Sequence, residues 1–478
     1  MNTPIIRVFL VVLGLFGVLV AATSRWTVFE RTSVRANPLN ARDRLAQLRS
    51  KRGTISAADA SPLARSRPRA GGLWARVYPR NGLFSQTVGY DFLTAGTAGL
   101  ERFYNGVLQA HQRGFEGALR RLQGERPQGD TLRTSLDPVA QRVAIRALGG
   151  RAGSVVALDP RTGRIRVMAS SPGFNPNAAR TTSGWQRLSG EPDAPLLNRA
   201  TAGLYPPGST FKVVTAIAAI DTGRFQPISE LDGSNGIPIS GLPLNNAGSE
   251  DFGRISLTFA LTKSVNTVWA QVGEQLGANT MERYMRRLGF MQPVQVDLPR
   301  DERRASGVYC DAGRRLVQVS SRCVDVGRMA IGQAQLLVTP LQMALVASAV
   351  ANRGTLMKPF IATRAFDAAG RTTLSNTPQP MSKVMTPSSA AKITAMMTKV
   401  VQEGTGTQAA LQGIAVAGKT GTAEIDVQRN ITQPWFIAFA PATSPRVAIA
   451  VTLERVVGGV GGTDAAPIAR DVIQALLR

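Results

Sequence analysis

A chain of 478 residues, 44% hydrophobic and 18% charged, is too long for one ordinary core and too apolar for a disordered or fibrous class, so two to three globular domains are expected. One histidine, His111, and two cysteines, Cys310 and Cys323, supply too few ligands for a zinc or redox centre, and His111, in a stretch that reads as a solvated helix end, excludes a Ser-His-Asp hydrolase; no metal and no cofactor are expected. The formal charge of +25 predicts attraction to anionic surfaces, but no Cys/His finger, aromatic-basic stacking motif or basic recognition helix accompanies it; lipid headgroups or anionic polymers are favoured and nucleic acid is not expected.

In chain order, residues 1–7 precede an uncharged run, Val8 to Ser24, bounded by Arg7 and Arg25. Its 17 residues would span about 26 Å as a helix at ~1.5 Å per residue, so the flanking arginines must snorkel to complete a crossing. An uncleaved transmembrane anchor is the first reading, and a signal peptide cleaved after Val20-Ala21-Ala22 is the alternative; either exports the remainder. Arg25, Arg31, Arg35 and Arg42 argue for the opposite orientation by the positive-inside rule, and only the chemistry below overrides them. In an exported chain Cys310 and Cys323 close a disulfide or remain free thiols.

Residues 25–130, rich in Arg, Gly and Pro with extended pieces such as Leu73 to Pro79, read as a small pedestal domain. From 131 to 478 the pattern changes. Asp137 caps a predicted helix over Pro138–Leu148, and Gly153 to Ala169 forms a hairpin about a Pro and Gly turn. Apolar 3.6-residue spacing predicts helices over 209–222, 256–277, 336–352 and 388–403. Strands at 435–440 and 447–453 and a closing helix from Ala465 to Leu477 complete an α+β domain in which both ends of the chain build one antiparallel sheet, with helices between.

Leu204-Tyr205-Pro206-Pro207-Gly208-Ser209-Thr210-Phe211-Lys212 runs from turn residues into an apolar helix. Ser209 is thereby placed at a helix N-terminus with Lys212 above it on the same face, within reach of its hydroxyl. The positive end of the helix favours developing negative charge, while that end and the apolar surroundings depress the amine, so that a neutral lysine serves as base to a serine nucleophile. Ser-x-x-Lys alone is a weak pattern: Ser389-Ala390-Ala391-Lys392 repeats it, and there Ser388 or Ser389 reads as a plain N-cap.

Two partners follow in order. Ser264-Val265-Asn266 lies 55 residues after Ser209 (264 − 209), and Lys419-Thr420-Gly421-Thr422 lies 153 residues after Asn266 (419 − 266). Gly413 to Thr420 also satisfies the phosphate-loop pattern G-x-x-x-x-G-K-[ST], but Thr422 to Asp426 reads as a strand where a phosphate loop needs a helix.

The ordered triple resembles the Ser-x-x-Lys, Ser-x-Asn and Lys-Thr-Gly set of penicillin-binding proteins and serine β-lactamases. Arg52-Gly53-Thr54-Ile55, Leu63-Ala64, Gly99-Leu100-Glu101, Ala169-Ser170-Ser171-Pro172, Ile331-Gly332-Gln333, Thr339-Pro340-Leu341-Gln342 and Trp435-Phe436-Ile437-Ala438 are similar to class B penicillin-binding proteins across nearly the whole chain. The pedestal is too short for a glycosyltransferase, which argues against a bifunctional class A member. The resemblance implies a D,D-transpeptidase of peptidoglycan stem peptides, inhibited by β-lactams, with Ser209 as nucleophile, Lys212 as base, Ser264 as proton relay, Asn266 orienting the substrate amide and Lys419 setting the electrostatics. Thr420, Gly421 and Thr422 would bind substrate, and the amides of Ser209 and Thr422 would form the oxyanion hole. It further implies a single-pass membrane protein with an extracytoplasmic catalytic domain, partnered by a wall polymerase of a division or elongation complex. A β-lactamase or D,D-carboxypeptidase of the same fold remains an alternative, although no Glu-x-x-x-Asn pair lies between Ser264 and Lys419. A non-enzymatic β-lactam sensor or wall-synthesis scaffold is the alternative of another class.

Overall fold

The computed structural model describes residues 3–25, 48–109, 128–311 and 314–478; His111, Arg31, Arg35 and Arg42 lie outside them. Helix α1 (Thr3–Ser24) has 22 residues, a mean hydropathy of 2.7 and no buried side chain. It starts before the expected Val8, so at ~1.5 Å per residue it reaches about 33 Å, long and apolar enough to cross a bilayer without help from its flanks.

The elements that frame the rest follow in chain order. Strands β1 (Ile55–Ser56), β2 (Pro62–Arg69) and β3 (Leu73–Val77) are antiparallel neighbours, and β4 (Thr131–Thr134) runs parallel to β1. Asp137 caps α2 (Pro138–Leu148) as expected, accepting the amides of Val139 and Ala140 at 3.0 Å each. The predicted hairpin is β5 (Gly153–Leu158) and β6 (Ile165–Ser171). A single 3-10 turn, Gly208–Phe211, leads into α3 (Lys212–Asp221).

The helix expected over 256–277 is two helices, α4 (Leu257–Thr262) and α5 (Asn266–Leu276). The break falls at Ser264, held at φ +63, a conformation that no apolar periodicity reveals. The helix expected over 336–352 begins only at Pro340 as α6 (Pro340–Ala351), because Leu336–Leu337 is a strand. Strands β7 (Ala362–Phe366) and β8 (Thr372–Ser375) precede α7 (Pro387–Gln402). The cap of α7 is Thr386, whose hydroxyl accepts the Ser389 amide at 3.1 Å, rather than Ser388 or Ser389: Pro387 fills the first helical position and moves the cap one residue earlier. Lys392 is a half-buried residue donating to Gln226 at 2.8 Å. Strands β9 (Ala417–Asp426), β10 (Ile431–Ala440) and β11 (Val447–Leu453) and helix α8 (Ala466–Leu477) end the chain.

The order β9-β10-β11-β5-β6, antiparallel throughout, is the predicted sheet built from both ends of the domain, with a short sixth strand, Val456–Val457, paired on β10. Apolar side chains of β5, β6, β10 and β11 pack on α2 and α8, while the opposite face packs on α6 and the buried helical region around α3. Strand β9 is an edge. The second sheet has the order β8-β7-β4-β1-β2-β3, so two strands from the 362–375 stretch are laced into the pedestal's sheet. A buried ion cluster stiffens that end: Glu101, fully buried, takes Arg52 Nε at 2.7 Å and Arg76 Nε at 2.6 Å. Cys310 and Cys323 form a disulfide.

Candidate active site

The motif residues meet where the start of α3, the break before α5 and the edge strand β9 converge. Lys212, at the first position of α3, has no exposed surface, and its amine donates to the Ser264 carbonyl at 2.6 Å, to Asn266 Oδ1 at 2.7 Å and to Ser264 Oγ at 3.4 Å. Ser209 sits one turn ahead, half-buried, and its hydroxyl makes no hydrogen bond among the described residues. The expected hydroxyl-to-amine contact within Ser-x-x-Lys is therefore not drawn; the amine is directed at the second motif instead.

Ser264 is usable because of the break between α4 and α5. Its left-handed backbone turns its carbonyl toward Lys212, and its Oγ accepts from Lys419 Nζ at 2.8 Å. A hydroxyl that accepts from amines keeps its own proton to donate, the property a proton relay needs. Lys419, fully buried in β9, also donates to the Thr420 carbonyl at 3.0 Å. No carboxylate pairs with either lysine among the described residues. Burial, reinforced by the neighbouring Lys419, holds the Lys212 amine well below its ordinary range, and burial pushes Lys419 down to about 7.

Thr420 Oγ1 lies 2.5 Å from Thr405 Oγ1, and Thr422 Oγ1 accepts the Gly461 amide at 3.1 Å. Gly421 is held by packing. A Cβ there would stand 2.8 Å from the Pro207 carbonyl and 2.9 Å from Thr210 Cγ2, so its missing side chain admits the nucleophile turn. Gly208, at φ +53, lies as tightly against the Thr422 carbonyl, which places the Ser209 and Thr422 backbones side by side. Lys419 and Thr420 lie inside a strand that continues to Asp426, so the Gly413 to Thr420 stretch is not a phosphate loop.

Several supports carried no role in the sequence. Trp435 Nε1 donates to the Pro206 carbonyl at 3.0 Å, the Gly208 amide donates to the Gly332 carbonyl at 2.9 Å, and the Tyr205 hydroxyl bonds Glu454, which also takes Arg199 Nε at 2.8 Å. Gly332 and Trp435 stood in stretches with family resemblance; nothing local marked Glu454. Asn245 and Asn246, which touch the second motif, were equally unmarked.

Two family models match the chain: the penicillin binding protein transpeptidase domain over residues 153–474 and the penicillin binding protein A dimerisation domain over residues 52–132. Among curated relatives, the peptidoglycan D,D-transpeptidase PbpA of Mycolicibacterium smegmatis is 34% identical over 100% of this chain and 99% of its own length. The protein of that name from Mycobacterium tuberculosis is 33% identical with the same coverage. The solved penicillin G acyl-enzyme complex of penicillin-binding protein A from M. tuberculosis superposes with a TM-score of 0.80 at 32% identity, covering 90% of this chain and 100% of that one. The three motifs, the sheet built from both ends of the domain and these matches place the chain in the penicillin-binding protein transpeptidase family, as a class B member.

Proposed function

We propose that this chain is a peptidoglycan D,D-transpeptidase acting through an acyl-enzyme on Ser209 and inhibited by β-lactams at the same residue. The observation that carries it is the convergence of Lys212, one turn after Ser209, and Lys419 on the Ser264 hydroxyl, two buried amines with no counterion among the described residues. Neutral Lys212 takes the Ser209 proton as Oγ attacks the penultimate D-Ala carbonyl of a stem peptide. The oxyanion develops at the amides of Ser209 and Thr422, a kind of contact worth ~3 to 4 kcal/mol per donor. Its collapse breaks the bond to terminal D-Ala, whose departing amine takes the proton through Ser264. Asn266 holds the donor amide, Lys419 sets the electrostatics, Thr420 and Thr422 hold the terminal carboxylate, and Gly421 keeps β9 against the nucleophile turn. An amine of a neighbouring stem then attacks the ester, giving the cross-link and freeing Ser209.

Residues 25–130 serve as pedestal and 131–478 as catalytic domain in this reading. Residues 1–7 stay cytoplasmic, and residues 8–24, within α1, anchor the chain in a single pass with the catalytic domain outside. Helix α1 and the pedestal are the surfaces through which a wall polymerase of a division or elongation complex docks.

The test supplies a stem-peptide donor, an acceptor amine and, separately, penicillin. Release of D-Ala with formation of the amide product, and a stoichiometric stop with penicillin, are expected; sustained penicillin hydrolysis without amide product overturns the reading in favour of a β-lactamase.

A further inference from the structure

Asn266 opens α5, yet the residue before it, Val265, has no side-chain acceptor to cap the helix. The open amides are satisfied by a residue 20 positions upstream. Asn246 Oδ1 accepts the Asn266 amide at 3.0 Å, the Thr267 amide at 3.1 Å and the Thr267 hydroxyl at 3.2 Å. Its Nδ2 donates to the carbonyls of Gly233 at 2.9 Å and Glu250 at 3.0 Å, so a side chain that is 4% exposed has both its ends engaged. The adjoining Asn245 carbonyl accepts Asn266 Nδ2 at 2.9 Å. A carbonyl can only accept, and the Lys212 amine donates to the other end of the same amide at 2.7 Å. One orientation of the Asn266 side chain satisfies both neighbours, with its oxygen toward Lys212.

We propose that Asn246, together with the Asn245 backbone, is a positioning residue of the acylation reaction: it caps α5 from outside and thereby sets Asn266 and Ser264 against Lys212. This rests on the transpeptidase reading above. A helix cap made by the preceding residue would leave α5 free to shift as a unit, whereas a cap supplied by the 233–250 loop ties the helix start to a second element. That loop is itself closed by the Asn246 amide donating to Asn235 Oδ1 at 2.9 Å.

The experiment measures the second-order rate constant for acylation by a fluorescent penicillin, with melting temperature alongside, on the full chain. Label on the wild-type chain at Ser209 establishes the parent reading; no label there overturns both. With label present, Asn246→Ala is expected to lower the rate constant of the folded protein roughly 10- to 100-fold, the usual scale for a residue that orients a functional group. In an Asn266→Ala background the same change should cost less than about 3-fold, because the two act through one contact. Asp137→Ala, which removes the cap of α2, should lower the melting temperature and leave the rate unchanged. An unchanged rate in folded Asn246→Ala, or equal losses in both backgrounds, overturns this proposal alone. Should Asn246→Ala fail to fold, Thr267→Val removes one of the three donors at nearly constant volume and carries the test, with roughly 3- to 10-fold expected and the same two contrary outcomes.

Discussion

Lys212 and Lys419 reach the Ser264 hydroxyl from a helix and from a strand, at 3.4 and 2.8 Å, and burial leaves both amines easier to deprotonate than in water. Lys212 acts as the neutral base, its amine already held well below its ordinary range, whereas Lys419 must keep its proton to set the electrostatics of the site. Acylation should therefore slow as pH rises through the value near 7 held by Lys419, and a penicillin-labelling rate profile between pH 6 and 9 checks this. Stability carries the opposite mark of the same burial. Lys419 binds its proton at a lower pH folded than unfolded, so the unfolded chain holds more protons between about 7 and ~10.4, and stability climbs with pH across that window. Lys419→Met should raise the melting temperature at pH 7, with a smaller gain at pH 9.5, while abolishing acylation. The lysines and serines were legible because their chemistry needs those residue types in that order. The direct partner of Lys212 was not, since a Ser-x-x-Lys spacing puts two side chains on one face without saying which third residue competes for the amine.

At the scale of elements, the nucleophile turn is wedged between β9 and the Gly332 turn. A Cβ on Gly332, at φ +83, would stand 1.8 Å from the Gly208 carbonyl. Gly332→Ala therefore meets both a forbidden backbone and a collision, and should cost about 2 kcal/mol or more in denaturant unfolding and slow acylation through a displaced Ser209. Most elements were readable: the 153–171 hairpin, the two C-terminal strands and α8 follow from alternation, turn residues and 3.6-residue spacing. What escaped was local and backbone-borne. The apolar pattern of 256–277 runs unbroken through Ser264, so the break that makes the second motif a site left no trace in it. Thr386 capped α7 from just outside the expected start, and Asn246 caps α5 from another loop altogether.

For the whole molecule, the pedestal's integrity turns on a carboxylate that burial alone would push up but that Arg76 and Arg52 hold below its ordinary value. Glu101→Gln leaves the buried Arg76 guanidinium without a carboxylate partner among the described residues and Arg52 with Asp91 alone, at 3.1 Å, and should cost about 3 kcal/mol, read by denaturant unfolding, with acylation of the folded protein retained. Removing residues 1–25 should shift the chain from membrane to soluble fraction without loss of penicillin labelling, which separates α1 from the chemistry. The sheet order β8-β7-β4-β1-β2-β3 could not be read from the sequence, since pairing between strands more than two hundred residues apart depends on tertiary packing rather than local pattern. The central claim, that Ser209 is the acylated nucleophile, is tested most directly by exposing wild-type and Ser209→Ala protein to a fluorescent penicillin and mapping the adduct by mass spectrometry. A single adduct on the Ser209 peptide of the wild type, absent from Ser209→Ala, is the predicted result; covalent label persisting on Ser209→Ala would contradict the account.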